Sequence, residues 1–285
     1  MRSECANPRL GAQSIRSVTA GRSGLVFSVQ QCFGRRMVRY MTLRSADGAS
    51  PSVSVRYLDE SVREIRLERL RLADFAESAP WRRVRSVHGQ AHYSGSYASA
   101  TTGGHVVYES RLELARLLLA DFDPHVRKIY AQPCQVKARV GDRTRRHVPD
   151  FLLATRSGTV RVVNVKPAGR LDDPKIAEAL AWPGELIQRH GWEYEIWSGG
   201  DQIVLENVRF LAAYRRPGIV PERELEQAWQ QIVDGDPLAV VEHRLAGTRP
   251  IHEIRPALMA LIWSGRLVTD LSRPLSGDSV LWRHQ

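Results

Sequence analysis

His147-Val148-Pro149-Asp150-Phe151-Leu152-Leu153-Ala154, then Arg156-Ser157-Gly158, then Thr159 through Asn164-Val165-Lys166-Pro167: this stretch decides the fold. His147 to Ala154 reads as one strand and Thr159 to Lys166 as the next, with Arg156-Ser157-Gly158 as the turn between them. Pro167 stops the second strand because it has no N–H to donate. A hairpin with three loop residues sets Asp150 opposite Asn164. Lys166 is then a diagonal neighbour on the same face, because strand side chains alternate with period two. Val163 and Val165 fall on the other face, available for a core. One surface thus gathers an acid, an amide and an ammonium.

Upstream, Ser110-Arg111-Leu112-Glu113 opens an apolar-periodic run to Ala120. Ser at the N-cap and Glu at the third position are a capping box, so a helix starts here. Asp121-Phe122-Asp123-Pro124 ends it. Val126 to Tyr130 and Cys134 to Val140 read as strands, followed by a Gly141-Asp142 turn. Downstream, Asp173-Pro174 starts a helix to about His190 that Pro183 is placed to kink or split. Trp192 to Trp197 and Gln202 to Glu206 read as closing strands, and Asn207 to Tyr214 as a short helix. Val53 to Tyr57 and Glu64 to Leu70 alternate like a hairpin, while His88 to Gly104 reads as loop.

Phosphodiester hydrolysis needs such a trio of polar groups. A carboxylate holds a hard divalent cation through oxygen, the cation polarises the phosphoryl group and activates water, and a Lys beside it orients the nucleophile and offsets developing charge. Glu113, on the first turn of the preceding helix, is the candidate second carboxylate. Its bland alternative is a helix cap alone, and Glu109 competes with it. Asp150 has its own bland reading as a strand-start turn residue, and Lys166 as a solvated edge lysine.

The order helix Glu, strand Asp, then x-x-Lys resembles the PD-(D/E)xK nuclease superfamily. The series Ser-Arg-Leu-Glu113, Asp-Phe-Asp-Pro124, Gln132-Pro133, His-Val-Pro-Asp150-Phe-Leu and Val-Asn-Val-Lys166-Pro is similar to the TnsA-like endonuclease subunit of heteromeric transposases, over roughly residues 106 to 200. The resemblance implies an α/β fold with a restriction-endonuclease-like core, a central mixed sheet flanked by helices. It implies Glu113, Asp150 and Lys166 as catalytic residues, and Mg²⁺ (Mn²⁺ as substitute) held by Glu113 and Asp150. It further implies cutting at transposon ends beside a DDE-type transposase and an AAA+ ATPase regulator, in a bacterial cytoplasm and on the nucleoid. The residue two before the Lys is usually Glu, Asp or Gln in that family; here it is Asn164. A neutral, shorter ligand shifts weight onto the Val165 carbonyl, and leaves open a non-catalytic DNA-binding or assembly subunit with a degenerate nuclease fold. A resolvase or restriction-type nuclease on the same core is the further alternative.

The rest of the chain bounds these readings. Its 285 residues carry a net charge of +10, with 43% hydrophobic and 25% charged residues, a globular balance. The longest apolar run, Ala257 to Trp263, is far short of a membrane span. Of the 41 basic residues only four are Lys. Arg suits phosphate, although a GC-rich genome enriches it as well. Arg143, Arg145, Arg146 and His147 are candidate DNA contacts, or a strand edge protected by charge. The three cysteines, Cys5, Cys32 and Cys134, form no metal or redox pair. Four regions are expected: 1–44, an Arg-rich, acid-poor extension that is disordered or belongs to an over-long reading frame; 45–105, β-rich; 106–214, the nuclease core; and 215–285, a small helical, winged-helix-like domain with helices over Glu222–Val233, Pro237–Leu245 and Pro250–Ser264 and a wing near Arg266 and Trp282.

Overall fold

The computed structural model describes residues 50–82, 93–247 and 249–284, all within one compact unit, Tyr40–Gln285. The expected extension over 1–44, with Cys5 and Cys32, lies outside the described residues, as do residues 83–92, which include the start of the loop expected over His88–Gly104.

β1 (Ser52–Arg56) and β2 (Val62–Arg66) form the expected hairpin. The alternation expected to run on to Leu70 stops at Arg66. Leu67–Arg69 is a 3-10 turn, which buries both Leu67 and Leu70, three residues apart. The segment expected as loop around Gly95–Gly104 holds a second hairpin, β3 (Gly95–Ser99) and β4 (Gly104–Tyr108). Its Ser and Tyr side chains are spent on the buried Asp121 carboxylate rather than on solvent: Tyr97 Oη donates to it at 2.8 Å and Ser99 Oγ at 2.5 Å.

α1 (Arg111–Phe122) begins at Ser110, whose Oγ accepts from the Glu113 N–H. Five strands follow: β5 (Val126–Ala131), β6 (Gln135–Val140), β7 (Arg143–His147), β8 (Phe151–Thr155) and β9 (Val160–Val165). The single strand expected from His147 to Ala154 is therefore two, with Val148-Pro149-Asp150 as a corner between them. β5 and β6 break at the matching point, Gln132-Pro133-Cys134. Each corner has a proline that cannot donate to a ladder, and Gln132 takes a positive φ of 44°. The corners are tied together, because Gln132 N–H donates to the Asp150 carbonyl at 2.8 Å. One long antiparallel ribbon is thereby folded across two sheets.

The first sheet has the antiparallel order β2-β1-β6-β7. The second has the order β10-β9-β8-β5, where β10 is Glu193–Trp197. β5, β8 and β9 are antiparallel neighbours, and β10 joins β9 in parallel through the crossover helix α2 (Pro174–Arg189). This second sheet is mixed, with helices on both faces. Val163, Val165, Phe151 and Leu153 pack in the cluster of Leu117 and Leu118 from α1 and Leu205 and Val208 from α3 (Gln202–Leu211). Leu152, Val160 and Val162 pack with Trp182, Leu186 and Ile187 of α2 and with Val53, Val55 and Val136 of the first sheet. Pro183 does not split α2. Beside it, a Cβ on Gly184 would lie 2.8 Å from the Tyr194 ring, so only glycine lets β10 approach this closely.

The expected strand over Gln202–Glu206 is the first half of α3. Asp201 Oδ1 accepts from the Ile203 and Val204 N–H groups, at 2.8 and 3.1 Å, and Leu205, Val208 and Leu211 face the core at helical spacing. The C-terminal region holds α4 (Glu222–Gln230), α5 (Leu238–Ala246) and α6 (Ile251–Trp263), with the short pair β11 (Leu267–Val268) and β12 (Trp282–Arg283). Gly265 follows α6 with φ of 72°, as a helix C-cap glycine does. No helix among the described residues is long and apolar enough to cross a membrane.

Candidate active site

The β8–β9 register pairs Phe151 with Val163 and Leu152 with Val162. Continued one step, it sets Asp150 opposite Asn164, as the hairpin arithmetic requires. Asp150 sits at the corner where β8 begins, and its side chain turns to the end of β9. Its Oδ2 accepts from the Val165 N–H at 2.6 Å. Asp150 is 9% exposed. Burial pushes its carboxyl above the usual range, opposed by the Lys166 ammonium, the Val165 N–H and the Arg82 guanidinium. Lys166, half-buried, is held at the sheet end by its own N–H, which donates to the Trp197 carbonyl at 2.9 Å.

Glu113 approaches from α1, which covers the Val163–Val165 face. Its Oε2 accepts from the Glu109 N–H at 2.8 Å and its Oε1 from Ser110 Oγ at 3.0 Å. The helix cap is thus real, but it reaches back to Glu109 rather than to the N-cap amide. It does not exclude a second role. Burial raises the Glu113 carboxyl, and after the opposing Glu109 N–H the negative charges of Asp150 and Glu109 raise it further. Two carboxylates from distant parts of the chain therefore feel each other in a place poor in water. Glu109, the competing acid, is already paired with Arg82 at 3.0 Å.

Asn164 is 1% exposed. Its Oδ1 lies 2.6 Å from His147 Nε2, which makes Nε2 the donor in this arrangement, and its Nδ2 is buried without a partner. His147 is set edge-on to the Trp182 ring, centroids 6.2 Å apart. Its burial favours the neutral imidazole over the Asn164 hydrogen bond that would raise it, and Lys166 and Arg82 add to the lowering. The four candidate DNA contacts on β7 do not form one surface. Arg145 and His147 face inward, Arg145 pairing with Glu178 of α2, whereas Arg146 points to the opposite side of the sheet.

Arg82 is the site residue the sequence did not single out. Gln132 places it: the Gln132 carbonyl accepts from the Trp81 N–H at 2.8 Å and its side-chain Oε1 from the Arg82 N–H at 3.1 Å. The one sequence signal was the segment Pro80 to Arg85, basic with an aromatic at Trp81.

No group of three or more His, Cys, Asp or Glu able to hold a metal ion occurs among the described residues. A cation here would rest on Asp150 and Glu113, with backbone carbonyl and water oxygens completing its shell. The two carboxylates fit that task in kind: burial raises both, and the Asp150 charge raises Glu113 further, so a bound cation would favour the ionised form of each. The Asn164 oxygen already accepts from His147, which leaves it one lone pair for any cation.

The bent ribbon, its mixed sheet and the acid–lysine cluster at the sheet end define an α/β protein with its polar chemistry at one corner. Residues 123–199, spanning β5 to β10 and including Asp150, Asn164 and Lys166, match the family model described as TnsA-like endonuclease N terminal. That segment, about a quarter of the chain, is similar to the N-terminal domain of the TnsA-like endonucleases. Glu113 lies ahead of the matched segment. No curated protein matches the chain.

Proposed function

We propose that the protein is the divalent-metal-dependent endodeoxyribonuclease subunit of a heteromeric transposase, of PD-(D/E)xK type, hydrolysing a phosphodiester at transposon ends. A DDE-type transposase and an AAA+ regulator are its proposed partners. The observation that carries the reading is the convergence of Asp150, Lys166 and Glu113 at the sheet end beside the TnsA-like segment.

Bound between Asp150 and Glu113, Mg²⁺ would supply charge stabilisation at the phosphoryl oxygens and a water of lowered pKa. The chain's own residues do the rest. The Val165 N–H fixes the Asp150 rotamer through one carboxylate oxygen, and the second oxygen would serve the cation. Lys166 offsets negative charge that grows on the phosphoryl group and orients the attacking water. Arg82, braced by Glu109, adds a second cation for phosphate. His147, neutral, holds Asn164 in place.

The test is plasmid nicking by the wild type, Asp150→Ala and Lys166→Ala with Mg²⁺ or Mn²⁺ and the partner transposase. Cutting by the wild type alone is expected; equal activity in all three rejects the site. The His147–Asn164 bond favours a second reading, a non-catalytic DNA-binding or assembly subunit, which predicts no cutting by any of them even with partners present. In either reading the C-terminal three-helix region, winged-helix-like in outline, serves assembly rather than base reading. Its last helix, α6, buries Ile254, Ala257, Leu258, Met259, Leu261, Ile262 and Trp263 and has little face left for a groove.

A further inference from the structure

The first sheet has two unlike faces. β1 sends Val53 and Val55 into the core, so Ser52 and Ser54 lie on the far side. The register carries that far side across all four strands. Arg66 pairs with Ser52, Ser52 with Lys137, and Lys137 with Arg146; one step along, Arg139 pairs with Thr144. Four cations, Arg66, Lys137, Arg139 and Arg146, therefore share one face with hydroxyls at Ser52, Ser54 and Thr144. Arg56 shares it too, but its guanidinium is committed to the Pro80 carbonyl and to Glu60. The one acid on these strands' far side is Glu64, 3.5 Å from Lys137 and accepting from Ser52 Oγ at 2.5 Å; Glu68, just past β2, lies 3.8 Å from Arg66, an exposed pair that a phosphate can displace. Between Arg66, Lys137, Arg139 and Thr144 the face dips into a concavity of about 380 Å³.

We propose that this face binds the sugar–phosphate backbone of a DNA segment other than the one at the Asp150 corner. The inference rests on the reading of the chain as a protein that acts on DNA. Its chemistry is that of backbone contact: guanidinium, ammonium and hydroxyl donors with no sequence code. A protein partner would want an apolar or aromatic anchor, and among the described residues this face has only Val62, at its edge. Neighbouring strands lie about 4.8 Å apart and alternate residues about 6.8 Å, so the cations form a grid suited to a charge-dense polyanion rather than to one carboxylate. The face is also turned away from the catalytic corner. On β7, His147 points toward Asn164 while its neighbour Arg146 points outward. A straight duplex cannot lie on both surfaces, so the outer face takes flanking or target DNA.

The test is fluorescence anisotropy of the full chain with a 30-base-pair duplex of arbitrary sequence over a salt series. Each lost phosphate contact lowers the slope of log K against log salt by about 0.9. The variant with Arg66→Gln, Lys137→Gln, Arg139→Gln and Arg146→Gln is expected to lose about 3 to 4 from that slope. Glu64→Gln is expected to bind a few-fold more tightly than wild type, a gain that misfolding cannot imitate. Asp150→Ala should keep the wild-type slope while losing any cutting, which separates failure of this face from failure of the catalytic site. The proposal is overturned if the fourfold variant, shown folded by its melting curve, keeps the wild-type slope, or if Glu64→Gln gains nothing. It is overturned too if the four substitutions abolish binding to polyglutamate while DNA binding persists, since the face then serves an acidic protein.

Discussion

Asp121 and Asp150 are both buried aspartates, 5% and 9% exposed, but their surroundings are opposite. Asp121, at the C-terminal end of α1, accepts from Tyr97 Oη, Ser99 Oγ and the N–H groups of Ala100 and Thr101 at 2.5 to 3.1 Å. Every lone pair has work, and the carboxylate ties the β3–β4 hairpin to the helix. Asp150 accepts one short bond, from Val165, and faces a second carboxylate near the other end of the same helix. A buried acid with four donors is a structural anchor. A buried acid with one hydrogen-bond donor, an acidic neighbour and only the Lys166 and Arg82 charges to oppose its burial leaves room for a further cation. The contrast, more than either residue alone, marks which end of α1 carries chemistry.

The sharpest way to break that contrast is to neutralise each acid in turn. Asp150→Asn should abolish metal-dependent cutting, by at least about 10²–10³-fold as for loss of a transition-state donor. It should leave the metal-free melting temperature unchanged or raise it, because an under-compensated buried charge is gone. Asp121→Asn should do the reverse. It turns an NH2 group toward two of those four donors, one of them a backbone N–H, and should cost about 3 kcal/mol, read as a shift of about 2–4 °C per kcal/mol. If Asp150→Asn destabilises as much as Asp121→Asn, Asp150 is an anchor too and the distinction fails.

Proton linkage tests the same point without mutation. Asp150 and Glu113 both have folded-state pKa values above their ordinary ones. The folded state then holds protons that the unfolded chain has released. Stability falls as pH rises from the ordinary carboxylate range through the raised values. Metal-free protein should melt higher in mild acid, just above the ordinary carboxylate range, than these two groups allow at neutral pH. Excess Mg²⁺ should recover part of that loss at neutral pH, about 2.7 kcal/mol at a hundredfold excess over its dissociation constant. Glu113→Gln should weaken both responses.

Much of this corner was legible in the sequence because it is local. The Arg156–Gly158 turn and period-two alternation are enough to place Asp150 against Asn164, and the Ser110–Glu113 spacing locates α1. What was not legible is non-local or ambiguous in period. The corner at Val148–Asp150 exists because the partner strand breaks at Gln132-Pro133, and nothing within His147–Ala154 announces that. Ile203-Val204 have β-branched side chains typical of strands, and only the Asp201 cap and the Leu205, Val208, Leu211 spacing make them helical. Arg82 reaches the site through Gln132, fifty residues away. No short window holds both halves of that contact.

Asn164 offers a finer test of how far the two acids differ. With His147 on its oxygen, position 164 adds no negative charge to the site. Asn164→Asp restores a carboxylate beside Asp150. Mn²⁺ affinity, followed by electron paramagnetic resonance, should tighten about tenfold, the scale on which groups around a metal site act. The added acid would also pair with His147 and raise its pKa, visible in the imidazole NMR titration. Unchanged affinity with a raised His147 pKa would show that position 164 serves the histidine and not the metal.

The smallest effect belongs to the cap that links both ends of the argument. Ser110 Oγ accepts from the Glu113 N–H and donates to the Glu113 carboxylate, so it both starts α1 and aims the acid. Ser110→Ala should cost about 1 kcal/mol of stability as an N-cap loss. A purely structural cap would stop there. If Glu113 also holds a cation, freeing its carboxylate should raise the Mg²⁺ concentration needed for half-maximal cutting, while Ser110→Thr, which keeps the hydroxyl, restores it. Equal Mg²⁺ requirements in Ser110→Ala and wild type would return Glu113 to the rank of a helix cap and leave Asp150 as the one acid of the site that awaits a cation.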